Sequence, residues 1–576
     1  MDNFRNPDAL EDALEKAQTV HDVRRLLKEA IQEAIARAAK DGALAAEKLA
    51  GVEITFAVPP QKEFGDYATN FAMQAAKAAR MNPRRVAEAI VARIQAPWLE
   101  RAEVAGPGFI NFYLRPDWIY DQLRAALAAG DRFGDTLAGR GQRVQVEYVS
   151  ANPTGPLHVG HGRGAAVGSA LANLLRAAGY GVETEYYIND AGNQIDQLAR
   201  SVDARYRELL GEAVEFPADG YHGEDIVETA RRIIARHGPR YLAMEPEQRL
   251  AVFKELALKE KLAFLREDLA AFGVTFDTWF SERTLHEAGA IGDVCNRLKA
   301  KGDLYEQAGA LWLRTTAYGD DKDRVVIRET GVPTYFAADI AYHRDKLSRG
   351  FDKIINIWGA DHHGYVARVR AALAALGYDP DKLEVLFVQM VNLYRDGQPV
   401  KMSKRTGQVV TLAELVEEVG RDAARFFFIM RSSDSQLDFD LDLAKAQSAE
   451  NPVYYVQYAH ARIASIFRQA AEGQAIPRSW EKVRLDVLSS EPEIDLIKKI
   501  ISYPDEVADA ARERAPHRIA RYATELAGLF HSFYTHCRVI GAGPELEPAR
   551  LALVAAVGSV LRHALKICGV AAPERM

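Results

Sequence analysis

Cysteine is scarce: three in 576 residues, at Cys295, Cys537 and Cys568. Cysteines so far apart in sequence suggest neither a disulfide framework nor a zinc ribbon, and they fit a reducing cytosol. Long apolar runs are missing too. None approaches the roughly 18 residues needed to span a bilayer, and Met1 to Ala30 mixes acids and bases with no signal-peptide core. A cytoplasmic protein with no membrane partner is therefore expected. No internal repeat or low-complexity tract stands out. Positive charge is also in short supply, 73 Lys and Arg against 80 Asp and Glu for a net −7, which taken as a sum argues against a polyanionic partner. The distribution softens that argument, because residues 511–576 hold nine Arg and Lys against five Asp and Glu.

What is present is more informative. A chain of this length holds about three or four domains, and 48% hydrophobic with 27% charged residues is the composition of an ordinary globular protein. In the stretch from Val144 to His161, Val144, Val146 and Tyr148 alternate with polar residues as a strand would. Asn152-Pro153 and Gly155-Pro156 break that strand, and Ala166, Ala170, Leu174, Leu175 and Ala178 then recur at helical spacing up to Gly179. A second apolar run, Val182 to Ile188, follows at once. Strand, helix and strand within about 30 residues make a parallel crossover unit, and in such sheets ligands sit beyond the carboxyl ends of the strands. That edge carries Glu147, Asn152, His158, His161, Asn189 and Asp190. His158 and His161, with Gly160 between them at a helix N-terminus, suit a nucleotide phosphate. The helix end offers unpaired N–H groups, the glycine lets a base or ribose approach, and imidazoles can hydrogen-bond charge developing on phosphorus. Capping or core histidines are the plainer alternative. Zinc is the poorer one, because the helical zinc signature spaces its histidines i, i+4 around a glutamate.

A second signal far downstream reverses that balance: Lys401-Met402-Ser403-Lys404-Arg405, after the Gly397 turn and before a new helix. His-Val-Gly-His followed by Lys-Met-Ser-Lys resembles the two signatures of class I aminoacyl-tRNA synthetases. Surrounding residues narrow the resemblance to arginyl-tRNA synthetases: Glu147 to Pro153, Asn189-Asp190-Ala191-Gly192-Asn193-Gln194, Gly359-Ala360-Asp361-His362-His363-Gly364, and Asn451 to Arg462. The likeness runs from about residue 50 to Met576.

The fold this resemblance implies is α/β: a class I Rossmann-like nucleotide-binding domain with an inserted helical segment, an N-terminal α/β domain that contacts tRNA, and a C-terminal all-helical anticodon-binding domain. The divisions are expected at 1–135, at 136–430 with the insertion at about 195–304, and at 431–576. Ile54 to Val58 reads as a strand ended by Pro59-Pro60, Phe64 to Asn70 as the opening of a helix, and Gly106-Pro107-Gly108 as a turn into a strand. Ala310 to Leu313 and Val325 to Ile327 read as the sheet resuming after the insertion, and Thr411-Leu412-Ala413-Glu414 as a capping box. A break at Thr19 to Asp22 separates two N-terminal helices, and beyond Gly420 the pattern is almost wholly helical.

Residue roles follow from the resemblance. His158 and His161 stabilise the transition state at the α-phosphate of ATP, with Pro153, Gly155 and Gly160 shaping the nucleotide site. Lys401, Met402, Ser403 and Lys404 belong to the loop over the β- and γ-phosphates, Lys404 making the transition-state contact. Glu147, Ser150, Asn152, Tyr335, Asp339 and His362 bind the arginine; Tyr335 and Asp339, i and i+4, share a helix face, and Asp339 meets the guanidinium. ATP enters as its Mg²⁺ complex, with no tightly bound cofactor and no protein metal site expected. L-arginine and tRNA(Arg) are the other partners. Tyr454, Tyr458, His460 and Arg462 are candidates to stack on and hydrogen-bond anticodon bases, although pattern alone leaves Tyr454 and Tyr458, one turn apart, open between surface and core. A monomer that needs bound tRNA to activate arginine is expected. Two competing readings remain: a metal-dependent phosphohydrolase built on His158, His161, Asp361, His362 and His363, and a non-catalytic synthetase-like protein, against which the intact histidines and lysines argue.

Overall fold

The structure, a computed structural model, describes residues 23–402 and 409–576; the expected break at Thr19 to Asp22 lies outside them. Strands β1 (Tyr67–Thr69), β2 (Leu99–Ala105) and β3 (Phe109–Leu114) make a small antiparallel sheet in the order β1-β3-β2. Leu27, Ile31, Phe71, Val86 and Ile90, from the helices Val23–Lys40, Phe71–Ala79 and Pro83–Val91, share a core with Ile110 and Phe112 of β3. Ile54 to Val58 pairs at a single bridge, Ala57 with Ala68, because the prolines that follow cannot donate to a ladder. The helix expected from Phe64 starts at Phe71 instead, with β1 ahead of it.

Next in chain order come β4 (Arg143–Glu147), β5 (Gly181–Ile188) and β6 (Thr278–Ser281), then β7 (Leu304–Gln307), β8 (Ala310–Leu313) and β9 (Arg324–Ile327), then β10 (Lys353–Gly359) and β11 (Leu383–Val388). Five of these form one parallel sheet in the order β11-β10-β4-β5-β6. Counted by their own succession the order is 3-2-1-4-5, a doubly wound sheet whose topological switch point falls between β4 and β10. The expectation for β8 and β9 is corrected: they do not resume that sheet but form an antiparallel sheet with β7 in the order β7-β8-β9, the first turn carrying Ala308 and Gly309 at φ 51° and 75°. Conversely, β6 lies within the stretch expected to be an insertion and supplies an edge strand. Four residues are too few for a strand period to show in sequence. Between β5 and β6 the helices Asn193–Leu209, Glu224–His237 and Pro246–Ala271 pack on one another around Tyr206, Ile226 and Phe253.

The helix Val159–Ala177, which follows β4, is buried along most of its length. Two glycines let its neighbours come this close: a Cβ at Gly168 would sit 2.3 Å from the Tyr148 ring, and one at Gly162 2.7 Å from Leu412 Cδ1. Beyond β11, the hairpin β12 (Val391–Arg395) and β13 (Gln398–Val400) joins β14 (Leu437–Asp440) in a sheet ordered β13-β12-β14. The capping box forms as expected: Glu414 N–H donates to Thr411 Oγ1 at 3.1 Å and Thr411 N–H to Glu414 Oε2 at 2.9 Å. The remainder is helical, chiefly Pro452–Glu472, Glu491–Ile501, Tyr503–Arg512, His517–His536 and Leu546–Cys568. Among the described residues Leu546–Cys568 is the one helix long and apolar enough to cross a membrane by length and composition, a property the short apolar runs concealed. Most of it is buried inside the helical part.

Candidate active site

The histidine signature lies at the switch point, in the loop and helix start that follow β4. His158 is the N-cap of the Val159–Ala177 helix. Its Nδ1 accepts the Gly160 N–H at 3.1 Å, the Nδ1 of His161 accepts the His158 N–H at 3.3 Å, and the two rings stack with centroids 3.7 Å apart. With both Nδ1 atoms accepting, each neutral ring carries its proton on Nε2. Burial holds both pKa values below the usual histidine range, and for His161, which also feels His158, the value falls to about 3. At neutral pH the pair is uncharged and offers two Nε2–H donors beside a helix start.

The segment at 409–412, downstream of the lysine signature, is fastened to the start of that helix. Val159 N–H donates to the Val410 carbonyl at 3.2 Å and Leu412 N–H to the Leu157 carbonyl at 2.7 Å, a bridge that pairs His158 with Thr411. At the other end Lys401 and Met402, both exposed, follow directly on β13. Ser403 and Lys404 lie outside the described residues. In the loop before the histidines, Pro153 is buried and Gly155 half-buried.

Glu147 ends β4 and is in register with Asn356 of β10. The exit from the strand is strained: Val149 and Ser150 have φ of 67° and 40° without being glycine, which is most costly for the β-branched valine. This bend lets Ser150 Oγ donate to Glu147 Oε1 at 2.9 Å while accepting the Tyr187 N–H at 3.1 Å. The other Glu147 oxygen is ion-paired with Lys346, a fully buried lysine that also donates to Asn356 Oδ1 at 2.9 Å. Asn356 donates to His343 Nε2 at 2.8 Å, and the His343 Nδ1–H donates to the Asp339 carbonyl at 2.8 Å. Burial and the nearby Lys346 lower the His343 pKa to about 3, so it stays neutral. Glu147 is thus matched by a cation of the protein's own.

Asp339 is not. Its carboxylate accepts from the Tyr365 hydroxyl, and burial, reinforced by the charges of Glu147 and Glu282, lifts its pKa to about 7. Glu282 is engaged with the Tyr187 hydroxyl at 2.7 Å. Tyr335 is 52% exposed, on the same helix as Asp339, and its ring lies against Gly192 beside Asn189, whose Oδ1 is buried without a hydrogen-bond partner. Asn152 is exposed. His362 is also exposed, 3.6 Å from Asp361, while His363 stacks on Phe387 with centroids 3.6 Å apart. Among the described residues no group of three or more His, Cys, Asp or Glu side chains is placed to hold a metal ion, the set proposed for a phosphohydrolase included. The sequence reading missed His343, Lys346 and Asn356. The spacing of Asp339, His343 and Lys346 along one helix was the available signal.

Comparison with known proteins fits this geometry. The model for the catalytic domain of class I (R) tRNA synthetases matches residues 122–219 and 267–463, the arginyl tRNA synthetase N terminal domain matches 25–114, and the DALR anticodon binding domain matches 456–576. An arginine--tRNA ligase from Heliobacterium modesticaldum is 58% identical over 524 residues, 90% of this chain and 93% of its own. One from Moorella thermoacetica is 53% identical over 560 residues, 97% of this chain and 100% of its own. The chain belongs to the arginyl-tRNA synthetase family. The solved arginyl-tRNA synthetase of Thermus thermophilus superposes with a TM-score of 0.77 at 25% identity, covering 96% of this chain and 100% of that one.

On the helix Pro452–Glu472, most of which falls in the DALR match, the tyrosine question resolves toward the surface. Tyr454 and Tyr458 stack with centroids 5.9 Å apart, Tyr458 stacks on His531 at 6.0 Å, and the Arg462 guanidinium lies over both Tyr458 and Tyr534 at 4.6 and 5.0 Å. Tyr458 and Tyr534 are exposed. His460 does not share this face: it is 3% exposed and its Nδ1–H donates to the Pro573 carbonyl at 2.9 Å. His531 and Tyr534 join from the helix His517–His536, and no local sequence pattern connects them to Tyr458.

Proposed function

We propose that this chain activates L-arginine with MgATP to arginyl-adenylate and transfers the arginyl group to the 3′ end of tRNA(Arg), as a cytoplasmic monomer. Family membership supports the reaction. The observations that support the roles are two neutral, stacked imidazoles at the start of the helix after β4 and a buried carboxylate, Asp339, that pairs with no Lys or Arg among the described residues.

In the first step an α-carboxylate oxygen of arginine attacks the α-phosphorus of ATP, and the bond to the β-phosphate bridge breaks as pyrophosphate leaves. No protein atom forms a covalent bond, so catalysis is positioning and charge stabilisation. His158 and His161 donate from Nε2 to the α-phosphate as charge builds on its oxygens, and neutral donors need not shed a proton to do so. Pro153, Gly155 and Gly160 border the nucleotide; Lys401, Met402, Ser403 and Lys404 serve the β- and γ-phosphates, whose oxygens hold the Mg²⁺. Asp339 receives the guanidinium with Tyr335 beside it. Glu147, fixed by Lys346 and Ser150, acts as an oriented acceptor at the same end. Asn152 and the unpaired oxygen of Asn189 suit the α-ammonium, and His362 borders the substrate.

In the second step the terminal ribose hydroxyl of tRNA attacks the carbonyl carbon and AMP leaves. Tyr454, Tyr458 and Arg462 stack on anticodon bases, His460 bracing that helix from its inner side, and the N-terminal sheet unit reaches the tRNA elbow. Bound tRNA is needed for activation. The test is ATP–pyrophosphate exchange with each of the twenty amino acids, with and without tRNA. Exchange with arginine alone, and only when tRNA is present, is expected; exchange with a different amino acid, or none with arginine and tRNA together, ends this reading.

A further inference from the structure

We propose that Arg425 is a positioning residue that sets the helix bearing His158 and His161 against the anticodon-binding helices, so that arginine activation depends on it. The inference deepens the function proposed above and rests on it.

Arg425, on the helix Arg421–Ile429, is wholly buried and has no carboxylate partner among the described residues. Its Nη1 donates to the Phe272 carbonyl at 3.1 Å, its Nη2 to Ser169 Oγ at 2.7 Å and the Cys568 carbonyl at 3.1 Å, and its Nε to the same Cys568 carbonyl at 3.2 Å. Those acceptors belong to three separate segments: the chain leading into β6, the middle of the histidine helix, and the last residue of the helix Leu546–Cys568. One planar fork therefore fixes all three at once. A helix C-terminus, where carbonyls lack partners, is where a cation is most welcome. Asn173, one turn beyond Ser169, adds a bond to the Ile567 carbonyl at 3.2 Å. The fit is close, since a Cβ at Gly569 would lie 2.2 Å from Arg425 Nη2.

A buried charge with no counterion is a poor means of gaining stability, because an apolar side chain of similar volume is often as good or better. What the guanidinium provides that methionine would not is direction. The chain beyond Cys568 continues the connection. Ala571 N–H and Gln457 Nε2 both donate to Asp422 Oδ2, at 3.1 and 2.9 Å, Gln457 also donates to the Ala571 carbonyl at 3.0 Å, and His460 and Arg468 donate to the Pro573 and Glu574 carbonyls at 2.9 and 3.1 Å. Gln457, His460 and Arg468 belong to the same helix as Tyr454, Tyr458 and Arg462. Hydrogen bonds, joined through the short chain segments 422–425 and 568–571, thus link the helix of stacked tyrosines to Ser169 on the helix capped by His158.

Contiguity alone does not establish coupling, so the test separates positioning from mere cohesion. In the full-length protein Arg425→Lys keeps the charge and loses the fork, and Ser169→Ala removes one acceptor. For whichever variants fold, tRNA-supported pyrophosphate exchange should show kcat lowered by about tenfold or more, with KM for arginine and ATP and Kd for tRNA within about twofold of wild type. Hydrogen exchange of the amides at 159–164 should quicken while those of the Pro452–Glu472 helix stay as they are. A kcat within twofold of wild type in both variants, or a loss of tRNA affinity as large as the loss of kcat, overturns the proposal. Should wild type fail to activate arginine at all, the proposed function falls instead, and the exchange of 159–164 alone then decides: quickening supports the positioning role and no change refutes it.

Discussion

Changing Asp339 to asparagine removes a carboxylate of the cleft that no Lys or Arg among the described residues pairs with. With its pKa raised from 3.8 to about 7 by burial and by the charges of Glu147 and Glu282, Asp339 is largely a neutral acid below pH 7. Arginine binds as a cation and favours the ionised form, so on acidification it must displace a proton. The sign follows: KM for arginine is flat above about pH 7 and climbs as pH falls, approaching about tenfold per unit. For stability the same shift works in the opposite sense. The folded carboxyl holds its proton more tightly than the unfolded one, so its contribution is full below the unfolded pKa and is lost as pH rises through about 7. In Asp339→Asn the KM slope disappears, and loss of a desolvated charge pair, roughly 3–5 kcal/mol, lowers kcat/KM for arginine by about two to four decades. Citrulline, a neutral urea, should be rejected roughly 10⁴-fold by wild type because it leaves Asp339 unmatched, and the gap should narrow in the variant. The assay is aminoacylation with arginine and citrulline between pH 5.5 and 8, on both proteins. A wild-type KM that is the same at both ends of that range, or an arginine-to-citrulline ratio untouched by the substitution, would refute the reasoning.

Three further outcomes are expected. His158→Ala and His161→Ala should each lower kcat for exchange by about two decades or more while KM for arginine and Kd for tRNA hold; single-turnover kinetics would expose any error in that split. Gly168→Ala would push a methyl to 2.3 Å from the Tyr148 ring and should cost about 1–3 kcal/mol in urea unfolding, an unchanged midpoint meaning that the helix can shift freely. Tyr458→Ala should weaken tRNA binding by about 1–3 kcal/mol with Tm preserved, whereas His460→Ala should lower Tm first; the reverse pattern would exchange their assignments.

How much could be read in advance depended on the range of the interaction. Strand, loop and helix around Val144 to Ala177 were legible because period and punctuation agree over a long stretch, and the Thr411 capping box because it is complete within four residues. β6 was not: four residues with no alternation are invisible until β5 pairs with them. β8 and β9 carried a correct strand signal but no information on partner, and only the β7-β8-β9 pairing shows that they stand apart from the parallel sheet. At the site, the family signatures pointed to His158, His161 and Asp339, but a sequence does not distinguish a carboxylate that already has its cation from one that lacks it. Lys346 makes that difference between Glu147 and Asp339, from a position far along the chain. His460 shows the converse. It sits two residues from Tyr458, and the helical turn sends it inward.

Why two signatures so distant in sequence act together follows from the sheet order and from the backbone at a helix start. β4 and β10 flank the switch point, so the loop after β4 and the loop after β10 open into one crevice. The chain leaves that crevice through β11 and the β12–β13 hairpin, carrying Lys401 with it, and it must return. The return is fixed by Leu412 N–H on the Leu157 carbonyl and Val159 N–H on the Val410 carbonyl. Val159 is the first residue of the histidine helix, and its N–H is one of those a helix start leaves without an internal partner. The segment after the lysines therefore caps the helix that presents the histidines. Inside that first turn, the His158 and Gly160 N–H groups in turn hold both imidazoles with Nε2–H outward. Tautomer, ring orientation and the anchor of the 409–412 segment are in this way set by one turn of backbone, and a substitution that loosens any of the three disturbs the others.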